Sequence, residues 1–284
     1  MYFSFTVKTD DKTFLETTDY PIQILPKQIG LVNLKEYPIR TTKSNILIHT
    51  PYNFVVKDKY NDGYLNNYIQ LYRKLNAKQL LIHGANKLVS FELFDNHLQY
   101  LSNMSKLYSV EIGIEIIKFT QSFIDHINEN YKSMLEFIDL YFGMIVKHQL
   151  SIIIDTAHMY ANGLTTTETI KLIHKYHENI QFIHLNGNSN KPYTKDKHVS
   201  IFSEKNKIDN IDKLISSISS YNIVLISEMK CCHTLEEYNE YKEFMSKYSI
   251  DMPDESIISF IYWVSFLIWV LYFWFSYFSL VSWV

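Results

Sequence analysis

Residues 151–184 read SIIIDTAHMYANGLTTTETIKLIHKYHENIQFIH. SIIID is a short apolar run closing on Asp155, and IQFIH is a second one closing on His184. Between them Thr165 and Glu168 stand three apart, the spacing of a capping box that opens a helix. Strand, helix, strand is the βαβ unit, and uninterrupted apolar runs fit strands buried on both faces. The same pattern extends outward. Phe3, Phe5 and Val7 alternate as in a strand, and further runs are IQIL at 22–25, ILIH at 46–49, QLLIH at 79–83, VEIGIE at 110–115 and IVLISE at 223–228. Leu65, Tyr68, Ile69, Tyr72 and Leu75 keep a helical period, as do Met134, Leu135, Ile138, Phe142 and Ile145. Thr234 with Glu237 opens another helix carrying Leu235, Tyr238, Tyr241, Met245 and Tyr248. Eight strands alternating with helices predict an α/β fold over residues 1–250, a (β/α)8 TIM barrel with shortened first units. A doubly wound open sheet is the alternative. No GxGxxG or GxxxxGK[ST] element follows a strand, which argues against a nucleotide-binding turn.

The composition bounds the chemistry. The 284 residues are 47% hydrophobic and 20% charged, enough apolar material for a large core and against bulk disorder. The two cysteines, Cys231 and Cys232, exclude a disulfide scaffold and fit an intracellular, reducing compartment. The formal net charge of −3 gives no bulk basic character, although bound metal ions can reverse a local field.

The strand ends carry the chemical signal. Six consecutive runs finish in His49, His83, Glu115, Asp155, His184 and Glu228. In a parallel barrel these ends converge on the face where active sites are built. Asp155-Thr156-Ala157-His158 adds a ligand three residues on, and Asp196-Lys197-His198 lies in the loop after the seventh strand. Five histidines and four carboxylates exceed the needs of one catalytic zinc, which takes three or four protein ligands. Three ions with a bridging carboxylate use them economically. The mixed nitrogen and oxygen donors suit Zn²⁺, with Mn²⁺ or Fe²⁺ as alternatives.

Three stretches carry a family resemblance: IHTPY at 48–52, IIIDTAH at 152–158, and HLN at 184–186 followed by DKH at 196–198. With Glu115 in GIE and Glu228 in ISE, the chain resembles the endonuclease IV family, the zinc-dependent apurinic/apyrimidinic endonucleases. The resemblance implies three zinc ions, with Mn²⁺ an alternative at one. His49, His83 and Glu115 would hold the first. Glu115, Asp155, His184 and Glu228 would hold the second, and His158, Asp196 and His198 the third. It further implies hydrolysis 5′ to abasic sites in double-stranded DNA and trimming of blocked 3′ ends, by a monomer. Glu115, Glu228 and Asp155 would take the catalytic roles, positioning the ions and the attacking water. Tyr52 would enter the DNA, its other reading being a loop-packing residue, and Lys197, Lys191, Lys195, Lys205 and Lys207 would attract phosphate. Gly187 departs from the family's acidic residue after His-Leu-Asn, no Asn stands four residues past Tyr52, and no His ends the first strand.

Residues 256–284 form a separate hydrophobic tail without charge, Gly or Pro, containing all four tryptophans. A helix of that length would be about 43 Å long, against about 20 residues needed to cross a bilayer. The tail is a candidate transmembrane anchor, its rival reading being a frameshifted or read-through end. Two other functions compete: a xylose-isomerase-like sugar isomerase or epimerase, and a non-catalytic, membrane-tethered DNA-binding descendant. His158 and the Asp196/His198 pair discriminate against the sugar enzyme, in which a third metal has no role.

Overall fold

The computed structural model describes residues 1–7, 15, 20–26, 34, 37–41, 45–51, 54–56, 62–85, 87, 89–228 and 235–252. Eight parallel strands close into a barrel. They are β1 (Tyr2–Val7), β2 (Ile22–Ile24), β3 (Ile46–His49), β4 (Gln79–His83), β5 (Ile112–Glu115), β6 (Ser151–Asp155), β7 (Ile180–His184) and, after a small hairpin, β10 (Val224–Ser227). Neighbours pair in chain order, and β1 joins both β2 and β10. The closure removes the open-sheet alternative and establishes the (β/α)8 TIM barrel. At three residues β2 is the shortest strand of the barrel and at six β1 is the longest, so the shortening expected of the first units is seen in β2 and not in β1.

The described helices are α1 (Asp62–Leu75), α2 (Phe91–Tyr108), α3 (Gln121–Asn130), α4 (Met134–Lys147), α5 (Thr156–Ala161), α6 (Thr166–Tyr176), α7 (Ile211–Ile218) and α8 (Leu235–Ser246). The capping box at α6 is formed in both directions: Glu168 N donates to Thr165 Oγ1, and Thr165 N donates to Glu168 Oε2. The helix expected after Thr234 is α8, although Thr234 itself lies outside the described residues. The tail at 256–284 also lies outside them. Among the described residues no helix is long and apolar enough to cross a membrane.

The period of two along each strand sorts the side chains. Ile46, Ile48, Leu80, Ile82, Ile112, Ile114, Ile152, Ile154, Ile183 and Leu225 join the layer shared with the helices. Leu47, Leu81, Ile153, Phe182, Val224 and Ile226 form a separate cluster that fills the barrel. His49, Leu47's partner two residues on, shares its inward column. So do His83 after Leu81, Asp155 after Ile153, His184 after Phe182 and Glu228 after Ile226. The alternation that plugs the barrel therefore delivers these groups to one end of it.

On β5 the inward column holds Gly113 below Glu115. A Cβ at Gly113 would stand 2.6 Å from Ile153 Cδ1 and 2.8 Å from Gln79 Cδ, so the filled barrel leaves no room for one. Replacing Gly113 by Ala is expected to cost about 1–3 kcal/mol through overpacking. Urea unfolding followed by circular dichroism measures it, and an unchanged midpoint would contradict this packing.

Candidate metal centre

Asp155 shows how the local sequence builds the site. It is the last residue of β6 and also the N-cap of α5. Its Oδ1 accepts from Ala157 N at 2.6 Å and His158 N at 3.1 Å. That capping fixes the carboxylate with Oδ2 turned to the site. It also explains the Asp-x-x-His spacing, because one helical turn returns His158 to the same side.

Three groups of side chains each bring one ligand atom per residue within 4.8 Å of the others. They are His49, Glu115 and His184; Glu115, Asp155, His184 and Glu228; and Asp155, His158 and His198. The second is the four-residue set expected from the resemblance. The first differs in one member, since His184 takes the place expected for His83. His83 Nε2 nevertheless lies 3.3 Å from Glu115 Oε2, and its ring is 4.9 Å from that of His49. In the third, Asp155 joins the two histidines. Asp196 binds both of them: its Oδ2 is 3.0 Å from His158 Nε2 and 2.9 Å from His198 Nε2.

A two-stranded antiparallel hairpin, β8 (Gly187–Asn188) with β9 (His198–Val199), folds the loop back to bring Asp196 and His198 over His158. A Cβ at Gly187 would lie 2.8 Å from Asn206 Cγ and 2.9 Å from Ser200 O. Gly187 stands where the resemblance implies an acidic residue, and the Asn206 side chain packs where a larger residue would stand.

Charge dominates the centre. Burial opposes ionisation of Glu115, but His184 outweighs it and holds the pKa low. Burial likewise opposes Glu228, which His184 and His49 hold well below the usual carboxylate range. Asp196 is held low against burial by its hydrogen bonds to His158 and His198. Asp155 moves the other way, with burial as the main cause. Burial alone would lower His184, but Glu228, Glu115 and Asp155 raise it to about 9. His158 and His198 are raised against burial chiefly by Asp155 and Asp196. His83 is pushed down to about 3 by burial and by His49. Protons on histidines thus balance buried carboxylates, and a metal ion would take over that role.

The donor set fits such an ion. Glu115 Oε2 is buried and accepts no hydrogen bond among the described residues. Histidine rings and carboxylates face one another as the mixed N/O ligation of zinc requires. Zinc held there would supply a water deprotonated near neutral pH and positive charge opposite a substrate oxygen.

Three buried side-chain amides support these candidate ligands, and the strand-end reading missed them. Gln23 Nε2 donates to Glu228 Oε1 at 2.6 Å. Asn186 Nδ2 donates to Asp155 Oδ2 at 2.6 Å, and Asn188 Nδ2 to Asp196 Oδ1 at 2.9 Å. A polar residue within an apolar run, as in IQIL, was the available signal for Gln23. Tyr52 lies outside the described residues. Lys191, Lys195, Lys197, Lys205 and Lys207 are exposed. His174 and His177 engage Tyr221 on the outer layer, by a 2.6 Å hydrogen bond and by stacking respectively.

The sequence matches no protein-family model and no curated protein. Solved structures share the fold. A D-tagatose 3-epimerase-like protein is similar at a TM-score of 0.55 and 15% identity, over 86% of this chain and 96% of that one. A xylose isomerase domain-containing protein from Salmonella typhimurium gives 0.54 and 12%, over 86% and 96%. The IolI protein, solved with a zinc atom, gives 0.53 and 14%, over 88% and 96%. These likenesses show the TIM-barrel fold.

Because His184 is raised from 6.5 to about 9, its contribution to stability is fully present below pH 6.5 and is lost as pH rises through 9. Metal-free protein is expected to lose melting temperature over that window. Zinc uptake, which must displace the histidine protons, is expected to strengthen with rising pH and to release protons at pH 7. Calorimetry in buffers of different ionisation enthalpy measures the release, and pH-independent uptake would contradict the assignment.

Proposed function

We propose that this chain is a zinc-dependent endonuclease, hydrolysing the phosphodiester bond 5′ to abasic sites in double-stranded DNA. The observation that carries the reading is the convergence of His158, Asp196 and His198 beside the Glu115–Asp155–His184–Glu228 set. A reaction on a neutral sugar needs the second set alone, whereas a phosphodiester carries charge on oxygens that a further cation can neutralise. Accessibility agrees. The side chains of Asp196 and His198 are 19% and 20% exposed, while His184 and Asp155 are fully buried. A phosphate would therefore meet the third group first.

The chain's own residues then have separable tasks. Asp155, capped by the α5 backbone, keeps one oxygen on the site. Glu115 and Glu228 hold negative charge at its centre. Asp196 fixes the two outer histidines. The exposed Lys191, Lys195 and Lys197 lie on the same loop and would attract the DNA backbone. An abasic nucleotide needs no base pair broken to leave the duplex. We further propose three zinc ions as the full complement, with Mn²⁺ tolerated at one.

The likenesses to solved structures favour a second reading, a sugar isomerase or epimerase. Two of those proteins carry epimerase or xylose isomerase names, and the Glu115–Asp155–His184–Glu228 set could serve such a reaction. Incision of a duplex with a single abasic site, by the full zinc-loaded chain, separates the two when run beside a panel of ketose and aldose sugars. Chelator-sensitive cleavage 5′ to the lesion is expected. Sugar turnover without cleavage would overturn the proposal. His198→Ala is expected to lower incision by about a hundredfold or more as the charge stabilisation at the third group is lost. A sugar epimerase would keep its activity in that variant.

A further inference from the structure

Gln23 is the central residue of β2, flanked by Ile22 and Ile24 and completely buried. An amide placed inside a barrel is costly unless both of its ends are paired. Here both are. Gln23 Nε2 donates to Thr6 Oγ1 at 2.9 Å and to Glu228 Oε1 at 2.6 Å, and Gln23 Oε1 lies 2.7 Å from His184 Nε2. The orientation of the amide follows from its neighbours. Reversed, its carbonyl oxygen would face the Glu228 carboxylate, acceptor against acceptor.

That orientation has a consequence at His184. A carbonyl oxygen only accepts, so Nε2 of His184 must carry a proton. The neutral ring then presents its lone pair at Nδ1. This is the atom that faces the ligand oxygens: Glu115 Oε1 at 2.8 Å, Glu228 Oε2 at 3.4 Å and Asp155 Oδ2 at 3.9 Å. The same amide holds Glu228 through Oε1, leaving Oε2 turned to His184. One side chain thus sets the tautomer of His184 and the rotamer of Glu228. The β1 hydroxyl of Thr6, which also donates to Ser227 O at 3.2 Å, anchors it.

We propose that Gln23 is the positioning residue of this centre, fixing His184 and Glu228 for a common metal ion. The inference rests on the metal reading and is independent of whether the substrate is DNA or a sugar. Groups that orient metal ligands from behind are typically worth a factor of 10 to 100 in metal affinity.

The test uses the full chain, zinc alone and two variants. Gln23→Met keeps the volume and removes the hydrogen bonds to Thr6, Glu228 and His184. Gln23→Glu keeps an acceptor toward His184 and loses the donor toward Glu228. Long-range ¹H–¹⁵N spectra of the zinc-loaded wild type are expected to show His184 protonated on Nε2. The Nδ1–H form there would overturn the proposal outright. Competition with a chromophoric chelator is expected to show one zinc bound about 10- to 100-fold more weakly by Gln23→Met. A shifted visible spectrum of the cobalt-substituted protein and mixed His184 tautomers are expected alongside. Wild-type zinc affinity with an unchanged cobalt spectrum would overturn it. Should Gln23→Met fail to fold, Gln23→Glu decides: Nε2–H retained supports the proposal, and its loss overturns it. A failure of DNA incision bears on none of these readouts.

Discussion

Like charges forced together inside a barrel govern this molecule. Glu115, Asp155, His184 and Glu228 each offer an atom within 4.8 Å of the others, and Glu115, Asp155 and His184 are fully buried. Carboxylates so placed repel one another and lose solvation, and such an arrangement persists only with compensating positive charge. Histidine protons can supply part of it, and a divalent ion can supply more. The capping of Asp155 by α5, the fold-back of the 187–199 hairpin and the amides behind the ligands all serve to hold these groups where they would not gather by themselves.

The barrel makes the gathering cheap in backbone terms. Strands β3, β4, β6, β7 and β10 alternate between side chains packed under the helices and side chains that fill the interior, and the interior columns end at one face of the barrel. Leu47 leads to His49, Leu81 to His83, Ile153 to Asp155, Phe182 to His184 and Ile226 to Glu228. The site requires no special strand geometry. It needs only a polar residue at the last inward position, with apolar residues below to exclude water.

This is why so much was legible from residues alone. Strand ends, the capping box at Thr165 and the Asp155–His158 spacing are short-range patterns with fixed periods, and the structure carries each of them. What was not legible depends on contacts across the barrel. Gln23 lies 161 positions from His184 and 205 from Glu228. Asn186 meets Asp155 only because β6 and β7 are neighbours, paired Asp155 to His184. The exchange of His184 for His83 around His49 is likewise a matter of where rings point, which no spacing rule encodes. The proposed function divides along the same line: the inner set would suit several chemistries, and the outer group, assembled by the hairpin, is what the proposal uses to tell phosphate from sugar.

A metal centre and a network of protonated histidines are the two states these side chains could adopt, and the geometry favours the metal. Crystals of the full chain grown with zinc, measured with X-rays on both sides of the zinc absorption edge, test it directly. Anomalous peaks are expected among Glu115, Asp155, His184 and Glu228 and between His158 and His198, about 2.0–2.2 Å from histidine nitrogens and carboxylate oxygens. No peak at either place, with His184 still in direct contact with Glu115, would contradict it.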